Sequence, residues 1–481
     1  MNAHERPETI IQGPLYVSDK KVYPQAVQGR FRRIKWAFMA VALGLYYLLP
    51  FVRWSRGVGA PDQAVLVDIP HRRFYFVFIE LWPQEVYYFT GLLIIASLTL
   101  FLLNAVAGRV WCGYMCPQTV WTDLYFMIER WVEGDRRDRM RKDKEKLGVK
   151  RVWELATKHF LWLAVAWWTG GALVLYFADA PTLVKDLATF NASPTAYIWI
   201  GILTVSTYLL AGHMREQVCV YMCPWPRIQA ALTDEWALNV TYRGDRGEPR
   251  VSAKKATALR AKGEKAGDCV DCRQCLAVCP TGVDIRKGSQ LACIQCGLCI
   301  DACDHVMAEI GRPVGLIAYD NDLNAGRRAE GLPEVYRPIR PRTILYVVLI
   351  AGIAGFMTYV LANRKTTGIN VLHDRNPLSV HLSDGSVRNA YTVRLLNKNG
   401  DERQFRLHVE GIAGAHLQIA GEAQAGEQPE IKVGPDQTLE LRIFIAAPAD
   451  ALPASSADIV LFAEDEKTGV QAKARDHFFP N

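Results

Sequence analysis

Eight of the twelve cysteines fall into two copies of one spacing pattern. The copies are Cys269-x2-Cys272-x2-Cys275-x3-Cys279-Pro280 and Cys293-x2-Cys296-x2-Cys299-x3-Cys303-Asp304. This spacing is typical of a ferredoxin segment with two [4Fe-4S] clusters, in which the last cysteine of each copy ligates the other cluster. A disulfide framework or zinc knuckles would not explain two complete repeats. The expected ligand sets are Cys269, Cys272, Cys275 and Cys303 for one cluster, and Cys293, Cys296, Cys299 and Cys279 for the other.

The other four cysteines form a second repeat, Trp111-Cys112-Gly113-Tyr114-Met115-Cys116-Pro117 and Val218-Cys219-Val220-Tyr221-Met222-Cys223-Pro224. Cysteines four apart share one side of a helix, so the four thiols are expected to converge. Soft sulfur ligands select Cu(I), zinc or iron–sulfur clusters. Beside a one-electron donor, such a site favours reduction of Cu(II), because the product is held more tightly. The candidate copper ligands are Cys112, Cys116, Cys219 and Cys223, with Met115 and Met222, and with His213 and Met214 as further candidates.

Other interpretations of these four cysteines remain open. They can be small core residues, a structural zinc site, a further cluster site or a redox disulfide. His213 alone is better explained as a residue of the membrane interface. The scattered histidines near the C-terminus are expected to be surface or core residues rather than ligands: His373, His381, His408, His416 and His477.

Apolar residues are concentrated in five long spans, each about as long as a bilayer-crossing helix. The spans are Trp36–Val52, Val86–Ala107, Phe160–Ala178, Tyr197–Ala211 and Ile344–Ala362. The polar first thirty residues do not resemble a cleavable signal peptide. We therefore expect a multi-pass α-helical membrane protein, with both thiol repeats just past the cytoplasmic ends of even-numbered spans.

Lysine and arginine residues in the flanking loops predict the orientation, because positive residues stay in the cytoplasm. They are dense before the first span and between the second and third, notably over residues 136–151, and sparse between the third and fourth. The N-terminus and the ferredoxin segment are thus expected in the cytoplasm, and the C-terminus in the periplasm. The net charge of +7 is concentrated in the predicted cytoplasmic stretches, so we attribute it to the orientation of the chain and to contact with anionic lipid. No nucleic-acid recognition motif accompanies it.

The predicted domains are an N-terminal arm (1–33), two helical hairpins (34–234), the inserted dicluster domain (235–340), a fifth span (341–363) and a periplasmic domain (364–481). Residues 119–150 are expected to form an amphipathic, then charged, helix at the membrane surface. After residue 365, short alternating segments punctuated by Gly, Pro, Asn and Asp predict an immunoglobulin-like β-sandwich. The expected strands are Ala390–Asn397, Gln404–Val409, Leu417–Ala420, Thr438–Ile445 and Asp458–Ala463.

Together these parts resemble the FixG/RdxA/CcoG-type cytochrome oxidase accessory proteins. Besides both cysteine repeats, the resemblance rests on Cys303-Asp304-His305-Val306-Met307, Ile310-Gly311-Arg312-Pro313 and Gly315-Leu316-Ile317. It implies an inner-membrane oxidoreductase that converts Cu(II) to Cu(I) for maturation of a cbb-type oxidase. It also implies an immunoglobulin-like external tail, and partners that include a cytoplasmic electron donor and proteins of copper delivery and oxidase assembly. Two alternatives are a quinol-oxidising membrane ferredoxin and a non-catalytic copper-holding scaffold.

Overall fold

The computed structural model describes residues 21–56, 60–421, 429–452 and 455–480. The described residues form two compact units. The first contains residues 21–51, 66–73 and 82–354, and the second contains the rest. The first twenty residues of the predicted arm lie outside the described part. Residues 21–28 form neither helix nor strand, and Gln25 donates a backbone hydrogen bond of 2.9 Å to Ala277 of the ferredoxin segment.

Helices dominate the chain as far as residue 232. The elements are α1 (Arg30–Leu48), β1 (Val65–Asp68), β2 (Arg73–Phe76), β3 (Ile79–Leu81), α2 (Tyr87–Ala107), α3 (Val110–Tyr114), α4 (Pro117–Glu133), α5 (Arg136–Lys142), α6 (Val149–Val174), α7 (Ala180–Ala188), α8 (Pro194–Thr207) and α9 (Trp225–Leu232). Two π-helical segments, Tyr208–Met214 and Val218–Met222, connect α8 to α9. Strands β1, β2 and β3 form a small three-stranded sheet, which the sequence did not predict.

In the described chain, four helices are long and apolar enough to cross a membrane: Arg30–Phe51, Pro83–Ala107, Pro194–Met214 and Pro341–Ala362. The predicted span Phe160–Ala178 is not among them. Its first fifteen residues fall in α6, which begins at Val149, ends at Val174 and carries charges through its first half. Lys158 of α6 is buried and pairs with Glu133 of α4 at 3.0 Å, so this half packs against protein. All five crossings stay predictions, and the third, by Phe160–Ala178, is the one without a helix of sufficient length and apolar composition among the described residues.

Reporter fusions test that crossing. If α6 crosses the membrane, fusions after Asp143 and after Asp186 should report opposite compartments, because only α6 could carry the chain across between them. Fusions after Asp320 and after Asn481 should also differ, because Pro341–Ala362 lies between them. Matching signals for the first pair would remove α6 from the set of crossings. Matching signals for the second pair would contradict a periplasmic C-terminus.

The predicted helix over residues 119–150 is in fact two helices. It breaks at Gly134, whose φ of +89° lies in the left-handed region that glycine tolerates. Buried ion pairs explain the charges of α4: Arg32 contacts Asp123 at 2.9 Å, and Arg139 contacts Glu129 at 2.7 Å. Part of the basic stretch 136–151, including Arg139, is therefore buried in protein and not exposed to lipid.

The ferredoxin segment contains β4 (Asn239–Tyr242), α10 (Gly244–Gly247), α11 (Ala253–Ala261), α12 (Gln274–Ala277), α13 (Leu298–Glu309), β5 (Ile317–Asp320) and α14 (Asp322–Ala329). Strands β4 and β5 pair antiparallel, with Val240 opposite Tyr319. Apolar side chains of this segment pack around three of its cysteines, Cys269, Cys275 and Cys303. Helix α15 (Pro341–Ala362) follows.

The C-terminal segment is a β-sandwich, which confirms the predicted immunoglobulin-like architecture. Its strands are β6 (Thr367–His373), β7 (Val380–His381), β8 (Val387–Asn397), β9 (Arg403–Glu410), β10 (His416–Ile419), β11 (Glu430–Val433), β12 (Gln437–Ala447), β13 (Ala457–Asp465) and β14 (Gln471–Phe478). One sheet has the order β10-β12-β8-β6, with β7 on β8, and the other has the order β11-β9-β13-β14. The inward residues of both sheets form one core, including Tyr391, Phe405 and Leu461. The prediction missed β6, β7, β11 and β14.

Candidate functional site

The second expected ligand set lines one cavity. Cys279, Cys293, Cys296 and Cys299 all border one cavity within the ferredoxin segment, which Cys275 of the first set also borders. Burial raises the pKa of Cys299 well above its usual range, and the neighbouring thiols raise it further, Cys296 and Cys279 most among them. Although Cys279 belongs to the first motif in sequence, the fold thus places it with the second.

Cys303 shows the reciprocal placement. Burial raises its pKa to about 12, and the nearby thiols of Cys275, Cys272 and Cys269 raise it further. Cys299 and Cys303 lie about one turn apart on helix α13. The same helix therefore provides Cys299 to the second set and Cys303 to the first. The arrangement follows the crossed pattern of a two-cluster ferredoxin.

These donor sets fit [4Fe-4S] clusters better than single ions. No three His, Cys, Asp or Glu side chains in the described ranges are gathered closely enough to hold one metal ion. A cubane holds its four thiolates farther apart than a single ion does, so sets of four cysteines around a cavity suit it. Thiols with raised pKa values must release protons on ligation, so cluster binding favours higher pH.

The first thiol motif lies directly against the second ligand set. A Cβ at Gly113 would stand 2.8 Å from the carbonyl oxygen of Ile294 and 3.0 Å from the Cα of Cys296. The hydroxyl of Tyr114 donates to the carbonyl oxygen of Cys296 at 2.9 Å. Cys112 packs on the apolar cluster that contains Cys296. Only a residue without a side chain permits this approach, which explains why glycine stands where the second copy has Val220.

Arg109 ties three segments together from the loop between α2 and α3. Its guanidinium donates to the carbonyl oxygens of Leu291, Cys293 (3.3 Å) and, next to the second thiol motif, Pro226 (2.7 Å). Its backbone N–H donates to the side chain of Gln295 at 2.7 Å. The planar fork of an arginine suits such divergent acceptors, and a lysine would not reproduce it. The cysteine spacing gave no indication of this role.

The four thiols of the paired motifs are neighbours. Burial raises the pKa of Cys112 to about 12, and the thiols of Cys116, Cys219 and Cys223 raise it further. The Cys112 thiol also contacts Oε1 of Gln229 in α9, at 3.4 Å. The two hairpins therefore bring their motifs together, although the thiols are not gathered as tightly as around one bound ion.

The expectation that each cysteine pair shares one helical face is wrong. Cys116 and Cys223 have extended backbones with ψ near 125°, outside the helices that carry Cys112 and Cys219. The cause is the proline after each of them, since a residue before proline avoids the helical region. Cys223 is exposed, whereas the other three thiols are partly buried.

The other candidate ligands differ in their surroundings. Met115 and Met222 are exposed. His213 packs among aromatic rings, 4.9 Å from Tyr208 and 5.9 Å from Trp162. In the tail, His408 stacks on Phe462, and the other histidines form no metal-binding group within the described ranges.

Gly113→Ala should disturb the contact between the two sites. The new Cβ overlaps backbone rather than a flexible side chain, so we expect a cost of about 1–3 kcal/mol. The expected result is faster loss of iron to a chelator from purified, anaerobic protein. Gly44→Ala is the matched control, because a Cβ there meets nothing within 4 Å. Equal iron retention in both variants would contradict the close packing.

Comparison with known proteins agrees with this arrangement. Family models match a 4Fe-4S dicluster domain over residues 214–322, a 4Fe-4S binding domain over 89–135, and the IG-like fold at the C-terminus of FixG over 357–481. Nitrogen fixation protein FixG of Rhizobium meliloti is 47% identical over 95% of this chain and 92% of its own length. The chain belongs to the FixG/RdxA family. Protein RdxA of Cereibacter sphaeroides is 48% identical, over 92% of this chain and 93% of RdxA.

Membership of the FixG/RdxA family establishes an iron–sulfur electron-transfer protein. Protein RdxB of Cereibacter sphaeroides is similar to the same extent, with 47% identity over 95% of both chains. Among solved structures, a FixG-related protein from Vibrio parahaemolyticus aligns with 24% of this chain and 96% of its own, at 23% identity and a TM-score of 0.21.

Proposed function

We propose that this member of the FixG/RdxA family is a reductase of the bacterial inner membrane that converts Cu(II) to Cu(I) for assembly of a cbb-type oxidase. One observation carries the proposal. The backbone at Gly113, beside the thiol of Cys112, packs against the backbone of the cluster ligand Cys296. Electron transfer requires short distances, and here four soft ligands adjoin an electron-transfer centre.

The two groups of cysteines have separate roles in this proposal. The eight cysteines of the ferredoxin segment hold two [4Fe-4S] clusters, which supply one-electron transfer when bound. Cys112, Cys116, Cys219 and Cys223 bind copper and stabilise Cu(I) as the softer ion. The exposed thiol of Cys223 offers the entry point for the ion. Each Cu(II) gains one electron and the protein loses one, so a cytoplasmic donor must restore it.

A turnover assay tests this proposal. Anaerobic purified protein, kept reduced by a chemical reductant, should produce Cu(I) from Cu(II) far faster than reductant alone, as detected by a Cu(I)-specific chelator. A scaffold that only holds copper would bind the metal without turnover. No rate above the reductant background would reject the reductase.

A second candidate function is favoured by the match of residues 89–135 to a 4Fe-4S binding domain. Here the four thiols hold a further iron–sulfur cluster in place of copper. Iron analysis separates the two candidates. Two cubanes give about eight iron atoms per chain and three give about twelve. A higher iron content that the replacement of Cys112 and Cys219 by serine lowers would support the further cluster.

The quinol hypothesis has less support. An apolar pocket of about 200 Å³, lined by Tyr47, Trp167 and Trp168, could accept a quinone ring. Tyr47 lies twelve residues along α1 from Lys35, a rise of about 18 Å. Lys35 borders the same cavity as Cys219. The pocket is therefore remote from the thiols, and turnover that does not depend on quinol would exclude it as the electron source.

A further inference from the structure

The two ligand sets differ in exposure. Cys272 is the one exposed thiol among the eight cluster cysteines, all of which the structure describes. It projects in a loop with Asp271 and Arg273, which are also exposed and have left-handed φ values of 49° and 57°. The second set is instead covered by Arg109 and the first thiol motif. Electrons can therefore reach the protein from a soluble partner most directly at Cys272.

The chain around Cys272 is strongly basic. Residues 243–290 contain eleven Lys and Arg residues and six Asp and Glu residues, an excess of five positive charges. Arginines already neutralise the acids closest to the exposed thiol. Arg286 pairs with Asp271 at 2.5 Å and with Asp284 at 2.7 Å. Arg250 pairs with Glu248 at 2.8 Å, and Arg246 with Asp268 at 2.9 Å.

Five lysines supply the excess charge: Lys254, Lys255, Lys262, Lys265 and Lys287. All are exposed, and none has an ion-pair partner within the described part of the chain. The fold holds their segments near the first ligand set. Arg260 at the end of α11 donates to the carbonyl oxygen of Gly267 at 2.6 Å, two residues before Cys269. Lys287 directly follows Arg286, which binds Asp271. These five lysines with Arg273 are here named the basic face.

We propose that the basic face docks an acidic one-electron carrier protein, which delivers its electron at Cys272. This inference rests on the proposed function only for the existence of an electron relay. In each encounter the carrier loses one electron and the protein gains one. Two encounters therefore supply the two electrons that reduce two Cu(II) ions. Unpaired lysines around an exposed ligand attract an acidic partner from a distance and speed association.

Reduction kinetics of the full-length holoprotein in detergent test this docking. The probe is a reduced plant-type [2Fe-2S] ferredoxin with an acidic surface, mixed in a stopped-flow instrument without copper. Lys254→Glu combined with Lys255→Glu should slow reduction by about tenfold or more and flatten its dependence on salt. The matched control is Lys144→Glu with Lys146→Glu, two exposed lysines between α5 and α6. The ferredoxin should reduce this control variant at the same rate as the unmodified protein.

Three outcomes decide the proposal. Slowing in the 254/255 variant alone, with unchanged reduction by dithionite, supports a protein-docking face. Equal rates in all three proteins overturn it. Unchanged rates together with weaker binding of the 254/255 variant to vesicles containing phosphatidylserine also overturn it, and assign the lysines to lipid. Because copper is absent, failure here leaves the copper reductase untouched, and failure of copper turnover leaves this result intact.

Discussion

Cys303→Ser should damage the cluster held by Cys269, Cys272 and Cys275, even though Cys303 belongs to the second motif in sequence. Cys279→Ser should damage the other cluster. Cys303 packs in one cluster with Cys269 and Cys275, and Cys279 borders one cavity with the cysteines of the second set. Serine lacks the soft thiolate that the fourth corner of a cubane requires.

Iron analysis and electron paramagnetic resonance of the reduced protein provide the measurement. Each variant should lose about half of the iron, and the spectrum of two interacting centres should become that of one. The variants serve as matched controls for each other, because each changes one thiol and spares the opposite cluster. Loss of the same centre in both variants would contradict crossed ligation.

The ferredoxin spacing could be read from sequence because iron–sulfur ligands obey a local rule. The same spacing also predicted the crossed ligand sets. The structure adds that one continuous helix, α13, contains both Cys299 and Cys303. The sandwich was also predictable where strands alternate clearly, as in β8 and β12. Strand β14 was missed because its inward positions include Ala472, Ala474 and Asp476, and alanine and aspartate are residue types that are depleted in strands.

Relations between distant segments could not be predicted. Arg109 reaches carbonyl groups more than a hundred residues away, and no local pattern marks such a contact. The buried pairing of Lys158 with Glu133 likewise depends on how α6 packs on α4, which is why Phe160–Ala178 resembled a simple span. One signal was present in the sequence: Gly113 replaces Val220 between the two matched motifs, and a glycine there indicates close backbone approach.

Joint replacement of Cys112, Cys116, Cys219 and Cys223 by serine should abolish copper retention. Serine hydroxyls are hard ligands and bind Cu(I) poorly. These four thiols belong to neither ferredoxin set, so iron content and cluster spectra should stay near those of the unmodified protein. The measurement is copper and iron per chain after anaerobic Cu(I) loading and removal of weakly bound metal.

Replacement of the exposed methionines provides the control for the thiol variant. Met115→Leu with Met222→Leu removes two sulfur atoms from the same motifs, at positions where both side chains face solvent. We expect this control to retain copper. Copper retention by the four-serine variant would contradict the assignment, and loss of iron in it would indicate that the thiols hold a cluster.

A single-turnover experiment tests the central claim most directly. Fully reduced protein, freed of reductant and of unbound iron, is mixed anaerobically with one equivalent of Cu(II). Cluster absorbance and Cu(I) are followed together. Our account predicts that one Cu(I) appears for each electron lost by the clusters, and that the four-serine variant shows neither change. Reduction of Cu(II) by that variant at the rate of the unmodified protein would contradict the account.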